Sequence, residues 1–122
     1  MNKRQLGKTD INLTAIGFGG APLGNLFENL DERNCYDILE KSYEKGINIY
    51  DTSPLYGYGL SEHRLGNFLK TVDEDSYFLS TKVGRYLTPA KKDNIDRGRF
   101  AGSLNFSPNL DYSYDGVMRA FE

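Results

Sequence analysis

The chain has 122 residues, 39% of them hydrophobic and 26% charged, a balance that favours one soluble globular domain over a disordered chain. Its net charge of −2 gives no electrostatic basis for binding nucleic acid. No apolar run approaches the ~18 residues that cross a membrane, and the basic residues 1–7 lack the apolar stretch of a secretory signal. The single cysteine, Cys35, is expected to be a buried core thiol. Together these features favour a cytoplasmic protein with neither a nucleic-acid nor a membrane partner.

The first predicted elements are a hairpin and a short strand. Turn-forming residues 7–10 separate residues 5–6 from residues 11–13, which predicts a small β-hairpin. The apolar run 13–18 predicts the first strand of a larger sheet. Glycines and a proline in residues 17–24 then break that strand into a loop.

A helix, a strand and a second helix are predicted next. Asp31 is placed to cap a helix that runs to about Lys45 and ends at Gly46. Residues 47–50 form a second strand that ends at Asp51, and Ser61 is placed to cap a second helix. The residues expected to face the core from these helices are Cys35, Ile38, Leu39, Ser42 and Tyr43 in the first, and Leu65, Phe68 and Leu69 in the second.

The last part of the chain predicts a strand, a long connection and a third helix. Residues 77–83 form the strand, and residues 84–112 are rich in Gly, Pro and Asn. Loops of that length inside compact domains are usually functional. We expect this one to overhang the strand ends and help choose a substrate, with a solvated loop as the alternative. Its aromatic residues are Tyr86, Phe100 and Phe106. Ser113 is placed to cap the third helix, whose apolar face comprises Tyr114, Val117, Met118 and Phe121.

Alternating strands and helices predict a parallel sheet in an α/β fold. A closed (β/α)8 barrel and an open dinucleotide-binding sheet both fit, and both gather their chemistry at the carboxyl ends of the strands. Residues 17–22 begin like the glycine fingerprint of the open sheet, but Pro22 replaces its third glycine and no helix opens directly behind it. The barrel therefore fits better, with the glycines forming either a tight turn beside a flat ring or a purely structural turn.

Three residues with reactive side chains lie where the strands end. Asp51 closes the second strand, Tyr56 follows in the same loop, and Lys82 lies at the end of the third strand. An Asp and a Lys at neighbouring strand ends would pair, and an ammonium beside a phenol favours the phenolate. A tyrosine in that setting can exchange a proton during conversion of a carbonyl to an alcohol, with the hydride supplied by a cofactor. Spacing alone does not distinguish Tyr56 from its competitors, which are Tyr50, Tyr58 and Tyr86.

The same segments resemble the aldo-keto reductase family. Residues 51–57 are similar to its second-strand signature, residues 80–85 to its third-strand motif and residues 16–20 to its first strand. Residues 4–13 match the hairpin that closes the bottom of its barrel. Residues 112–119 resemble the third helix of the branch that oxidises sugars such as fucose, galactose and related aldoses.

The resemblance implies an oxidoreductase that uses NADP or NAD on a small aldehyde, ketone or sugar, and no metal. Tyr56 would be the acid/base, Lys82 would tune it, and Asp51 would partner Lys82. The fourth catalytic residue of the family, a histidine after the fourth strand, has no counterpart, and His63 is predicted to be a solvated helix residue. The residues implied to lie near the nicotinamide are Asp51, Gly20, Ala21 and Pro22.

A (β/α)8 barrel takes ~250 residues, so the resemblance implies that residues 1–122 are its N-terminal part, about three β/α units and the hairpin. The periodicity of the third helix still runs at Glu122, which predicts a chain truncated in that helix. In the family, most of the residues that bind the adenosine phosphate of the cofactor come from the second half of the barrel. We therefore expect the isolated chain to be inactive and poorly folded. The alternatives to an enzyme are a non-catalytic regulatory or channel-associated subunit and an inactive fragment.

Overall fold

The computed structural model describes residues 1–122. The strands are β1 (Lys3–Gln5), β2 (Asn12–Thr14), β3 (Phe18–Gly19), β4 (Ile49–Asp51), β5 (Phe78–Ser80), β6 (Arg85–Pro89) and β7 (Phe106–Leu110). The α-helices are α1 (Glu32–Glu44), α2 (Leu60–Leu69) and α3 (Tyr114–Phe121). None of these helices has the length and apolar character needed to cross a membrane.

A three-stranded parallel sheet in the order β3-β4-β5 forms the centre of the molecule. Gly19 pairs with Asp51, and Asp51 pairs with Ser80, so the carboxyl ends of the three strands lie at one edge. Each strand is followed by a helical segment before the next one begins, which confirms the predicted β/α alternation. This arrangement is the N-terminal part of a (β/α)8 barrel.

The hydrophobic core lies between this sheet and helices α1 and α2. Tyr50 on β4 is completely buried, with Phe18 on one side at a ring separation of 5.7 Å. Burying a large apolar side chain stabilises a fold by roughly 1.5–3 kcal/mol, so these contacts favour packing of the helices on the sheet. The core residues are Leu23, Cys35, Leu39, Tyr50, Leu65, Phe68 and Leu69. Cys35 is 1% exposed, as predicted, and burial raises the pKa of its thiol.

The hairpin β1–β2 is held below the sheet by Asn48, the residue before β4. The Asn48 side chain accepts a hydrogen bond from the Thr14 backbone N at 2.7 Å and donates one to the Asn12 carbonyl at 2.9 Å. The predicted hairpin is therefore confirmed. The predicted strand over residues 13–18 is wrong in its bounds, because residues 13 and 14 pair with β1 and only Phe18–Gly19 joins the parallel sheet.

Two helix starts differ from the expectation. Asp31 precedes α1, but its side chain makes no capping hydrogen bond. Ser61 lies inside α2, which begins after Gly59 in the left-handed region at φ +95°. The buried face of α1 is also narrower than predicted, since Ile38 is 48% exposed while Leu39 is buried. Helical spacing alone predicted too wide a buried face, because only the side of α1 that packs against α2 and the sheet is shielded from solvent.

The long connection contains structure that its composition did not predict. Strands β6 and β7 form an antiparallel ribbon from Arg85 opposite Leu110 to Pro89 opposite Phe106. Proline is tolerated in such a ribbon because each strand has a free edge. Ser113 then caps α3, as predicted, by accepting a hydrogen bond from the Gly116 backbone N at 3.1 Å.

Candidate active site

An ion pair joins the ends of two neighbouring strands. Asp51 is the last residue of β4, and Lys82 lies just beyond the end of β5. The Lys82 ammonium donates to Asp51 Oδ2 at 2.7 Å and to the Thr52 carbonyl at 2.8 Å. Ser80 donates to the other carboxylate oxygen of Asp51 at 3.0 Å. The structure therefore brings together the pair that the sequence predicted at these strand ends.

The surroundings of the pair keep both groups charged. Partial burial acts to raise the pKa of Asp51, but the hydrogen bonds from Lys82 and Ser80 outweigh it and hold that pKa below its usual range. Burial likewise acts to lower the pKa of Lys82, and its hydrogen bond to Asp51 leaves that pKa raised. The stability that ionised Asp51 contributes to the fold is thus lost as pH falls through its lowered pKa. The stability that charged Lys82 contributes is lost as pH rises through its raised pKa. Water screens the pair, because the two side chains are 44% and 47% exposed.

Tyr56 lies against this pair, and its competitors do not. The Lys82 ammonium is 5.1 Å from the centroid of the Tyr56 ring. Tyr50 is fully buried in the core, and the Tyr58 hydroxyl donates to the Asp96 carbonyl. Tyr86 lies instead under the guanidinium of an arginine in α3, at 5.4 Å. The structure thus separates Tyr56 from three tyrosines that spacing alone left open.

The position of Tyr56 depends on a close approach between two loops. Gly24 ends the 3-10 turn Ala21–Gly24 and lies directly against the loop that holds Tyr56. A Cβ at Gly24 would be 2.4 Å from the Tyr56 backbone carbon, and one at Gly57 would be 2.5 Å from the Gly24 carbonyl oxygen. Gly57 also has φ +65°. Both glycines are therefore required for the two loops to meet.

Substituting Gly24 with Ala should lower the free energy of unfolding by about 1–3 kcal/mol, because the new methyl group would overlap backbone that cannot move aside. Gly66→Ala is the matched control, since a Cβ at this position of α2 would meet nothing within 4 Å. The free energy of unfolding of that variant should rise by roughly 0.5–1 kcal/mol, because alanine has a higher helix propensity than glycine. Urea unfolding of the protein that joins this chain to the rest of its barrel measures both changes, and equal midpoints for the two variants would contradict this packing.

The predicted cofactor-binding residues follow β3 directly. The Gly20 backbone N donates to the Asp51 carbonyl at 2.7 Å, and the Gly20 carbonyl accepts from Ser61 Oγ at 2.7 Å. A Cβ at Gly20 would lie 2.8 Å from that hydroxyl, so packing against α2 already requires glycine there. Ala21 is half-buried and Pro22 is exposed. The run lies beside the strand end of Asp51, and its contact with a nicotinamide stays a prediction.

Arg64 holds the first loop in place and was not singled out by the sequence. Its side chain, 8% exposed, donates to the Leu23 carbonyl and to Asn25 Oδ1, each at 2.7 Å, and pairs with Glu32 at the start of α1. From sequence, an arginine on an amphipathic helix is expected to be exposed to solvent, so no local pattern indicates that Arg64 is buried. His63, on the same helix, is exposed as predicted.

The connection 84–112 reaches the site, but not mainly through the residues expected. Phe100 contacts the rings of Tyr56 and Tyr58, each at 6.2 Å. Phe106 lines a separate cavity beside α2. A cleft of about 190 Å³ opens at Tyr56 and Lys82, and the connection contributes Arg85 and Tyr112 to its lining. The other lining residues are Ser53, Pro54, Leu55 and Val83.

Comparisons with known proteins agree on one family. Residues 15–108 match the Aldo/keto reductase family. The chain is 43% identical to pyridoxal 4-dehydrogenase of Microbacterium luteolum over 98% of its own length and 37% of the relative. It is 42% identical to L-galactose dehydrogenase of Arabidopsis thaliana over 68% of its length and 27% of the relative.

A shorter match and a solved structure give the same assignment. D-threo-aldose 1-dehydrogenase of Pseudomonas sp is 48% identical over 63% of this chain and 23% of the relative. The holo form of aldo-keto reductase AKR11C1 from Bacillus halodurans superposes with a TM-score of 0.71 and 31% identity, covering 98% of this chain and 34% of that one. The chain thus spans between about a quarter and a little over a third of these relatives. Over that span, it belongs to the aldo/keto reductase family.

Proposed function

We propose that this chain supplies the first three β/α units, and the proton-transferring tyrosine, of a nicotinamide-dependent dehydrogenase. Members of the family are NAD(P)-dependent oxidoreductases. The observation that carries the proposal is the position of the Lys82 ammonium, which pairs with Asp51 and lies over the ring of Tyr56. The reaction interconverts a carbonyl compound and its alcohol, or a sugar lactone and its lactol. The proposal retains the cytoplasmic location that the composition favours.

The residues at the strand ends fit the flat ring of a nicotinamide. Gly19 is exposed, pairs with Asp51, and leaves open space where a side chain would stand. Together with Gly20, Ala21 and Pro22, it would let a planar group approach the backbone beside the catalytic pair. When bound, NADP or NAD supplies or accepts the hydride that no side chain can provide.

Proton transfer is the part of the reaction assigned to this chain. In oxidation Tyr56 would take the proton of the substrate hydroxyl as hydride leaves the same carbon, and in reduction it would return that proton to the carbonyl oxygen. The Lys82 ammonium, 5.1 Å from the centroid of the Tyr56 ring, would stabilise the negative charge on the phenol oxygen when that oxygen has given up its proton. Asp51 is the positioning residue, because its carboxylate holds the ammonium at the strand ends.

The substrate belongs in the cleft beside Tyr56. Two relatives act on aldoses or galactose by name and a third on pyridoxal, which supports a ring-shaped alcohol or aldehyde. The test is to follow nicotinamide absorbance with a panel of aldoses and pyridoxal, using the protein that joins this chain to the rest of its barrel. A preparation that binds cofactor yet turns over nothing in the panel would contradict the proposal and favour a regulatory subunit.

The proposal also predicts that residues 1–122 by themselves are inactive and associate. Apolar side chains that the remaining barrel units would cover are exposed, with Ile16 at 62%, Leu79 at 53% and Phe121 at 77%. Exposed apolar patches larger than a few hundred Å² drive association. Analytical ultracentrifugation and thermal unfolding of the purified chain measure this. A monomer with a cooperative transition and sugar-dependent turnover would overturn the prediction.

A further inference from the structure

One charged side chain in the cleft has no partner. Arg85, the first residue of β6, is half-buried and lines the cleft beside Lys82. The four ion pairs of the structure do not include it, and no carboxylate lines the cleft. Because Asp51 already neutralises Lys82, the guanidinium of Arg85 leaves the cleft with an unpaired positive charge. Such a group prefers a carboxylate or another acidic oxygen.

An aromatic ring, that of Tyr112, also lines this cleft. Tyr112 is 69% exposed, yet its ring rests directly on the backbone of Gly84. A Cβ at Gly84 would lie 2.0 Å from Tyr112 Cε1, and Gly84 has φ +87°. The Tyr112 ring can therefore take this position only against a glycine. An exposed ring fixed on backbone presents a flat surface to whatever enters the cleft.

We infer that Arg85 and Tyr112 form a substrate subsite for a ring compound that carries an acidic oxygen. Tyr112 stacks on the ring, and Arg85 pairs with the acidic oxygen while the reacting carbon lies at Tyr56. Pro54, Leu55 and Val83 add apolar surface to the same cleft, which suits the ring of such a compound. The inference rests on the proposed function, which places the reaction in this cleft.

Calorimetric titration with benzoate and with neutral benzyl alcohol tests the subsite without turnover, in the protein that joins this chain to the rest of its barrel. Arg85→Met should weaken benzoate binding about tenfold or more, since it removes a charge-assisted hydrogen bond, and leave benzyl alcohol within about twofold. Arg99→Met is the matched control, because Arg99 is an exposed arginine of the same connection outside the cleft. It should change neither affinity.

Tyr112→Ala should weaken both ligands about two- to tenfold, because stacking does not depend on charge. Gly84→Ala should reproduce that loss by displacing the ring, and the exposed Tyr112 variant keeps the test valid if Gly84→Ala does not fold. Equal benzoate affinity in the Arg85 and Arg99 variants, or no benzoate binding in the parent protein, would overturn the inference.

A substrate pair separates this inference from the proposed function. The ratio of kcat/KM for 4-carboxybenzaldehyde to that for benzaldehyde should fall about tenfold in Arg85→Met. Turnover of both aldehydes with an unchanged ratio would contradict the subsite alone. Charge-dependent benzoate binding without turnover of any carbonyl compound would contradict the dehydrogenase function and leave the subsite standing.

Discussion

Replacing Tyr56 with Phe should remove most of the turnover of the assembled enzyme. The substitution deletes one oxygen, and a positioned general acid/base contributes roughly 10²–10⁴-fold to rate. The ring and its contact with Phe100 remain, so the loop should keep its place. Steady-state kinetics should show the loss in kcat, while titration of nicotinamide fluorescence should give nearly unchanged cofactor affinity.

Tyr58→Phe is the matched control for that experiment. It removes the same atom from a neighbouring tyrosine whose hydroxyl donates to the Asp96 carbonyl. Losing that hydrogen bond should cost stability of about 1 kcal/mol while turnover persists. Near-normal turnover in Tyr56→Phe together with a large loss in Tyr58→Phe would transfer the acid/base role to Tyr58.

Replacing Lys82 with Met should change the pH dependence of the reaction as well as its rate. The ammonium lies beside the Tyr56 ring and stabilises negative charge on the phenol oxygen during proton transfer, so its removal should move the midpoint of the oxidation profile upward. The raised pKa of Lys82 keeps its charge across the working range, so the effect should extend through neutral pH. The measurement is kcat/KM for alcohol oxidation across pH.

Two further variants separate the charge from the shape of Lys82. Lys82→Arg keeps a cation beside Asp51 and should retain the midpoint more closely than Lys82→Met. Lys70→Met removes an exposed lysine at the end of α2 and should leave the profile unchanged. A profile that keeps its midpoint in Lys82→Met would show that this lysine does not tune the tyrosine.

The alternation of elements was readable from sequence because it depends on near neighbours. Helical spacing marked Leu65, Phe68 and Leu69, and all three are buried. Ser113 was recognisable as a cap because its partner, Gly116, lies one helical turn away. The local rules were weaker where long-range contact competes, as with residues 13–14, which pair with β1 instead of continuing toward β3.

Composition concealed the ribbon in the connection 84–112. Its Gly, Pro and Asn residues are typical of loops, and the pairing of Leu87 with Pro108 cannot be read from either residue alone. The ribbon is what places Arg85 and Tyr112 at the cleft. The sequence indicated a segment that does reach the cleft, but it did not identify Arg85 and Tyr112 as the lining residues, and the role of the segment toward a substrate stays a prediction.

The sequence by itself determined which residues stand at the strand ends, because the order of strands and helices is encoded in short-range periodicity. Asp51 and Lys82 could therefore be placed at strand ends, whereas the resemblance singled out Tyr56 and supplied the implied roles of all three. Only the tertiary structure decided that Tyr56 and not Tyr58 faces the ammonium, and that Gly24 and Gly57 must meet. Those outcomes depend on contacts between segments far apart in the chain, whose geometry no local pattern contains.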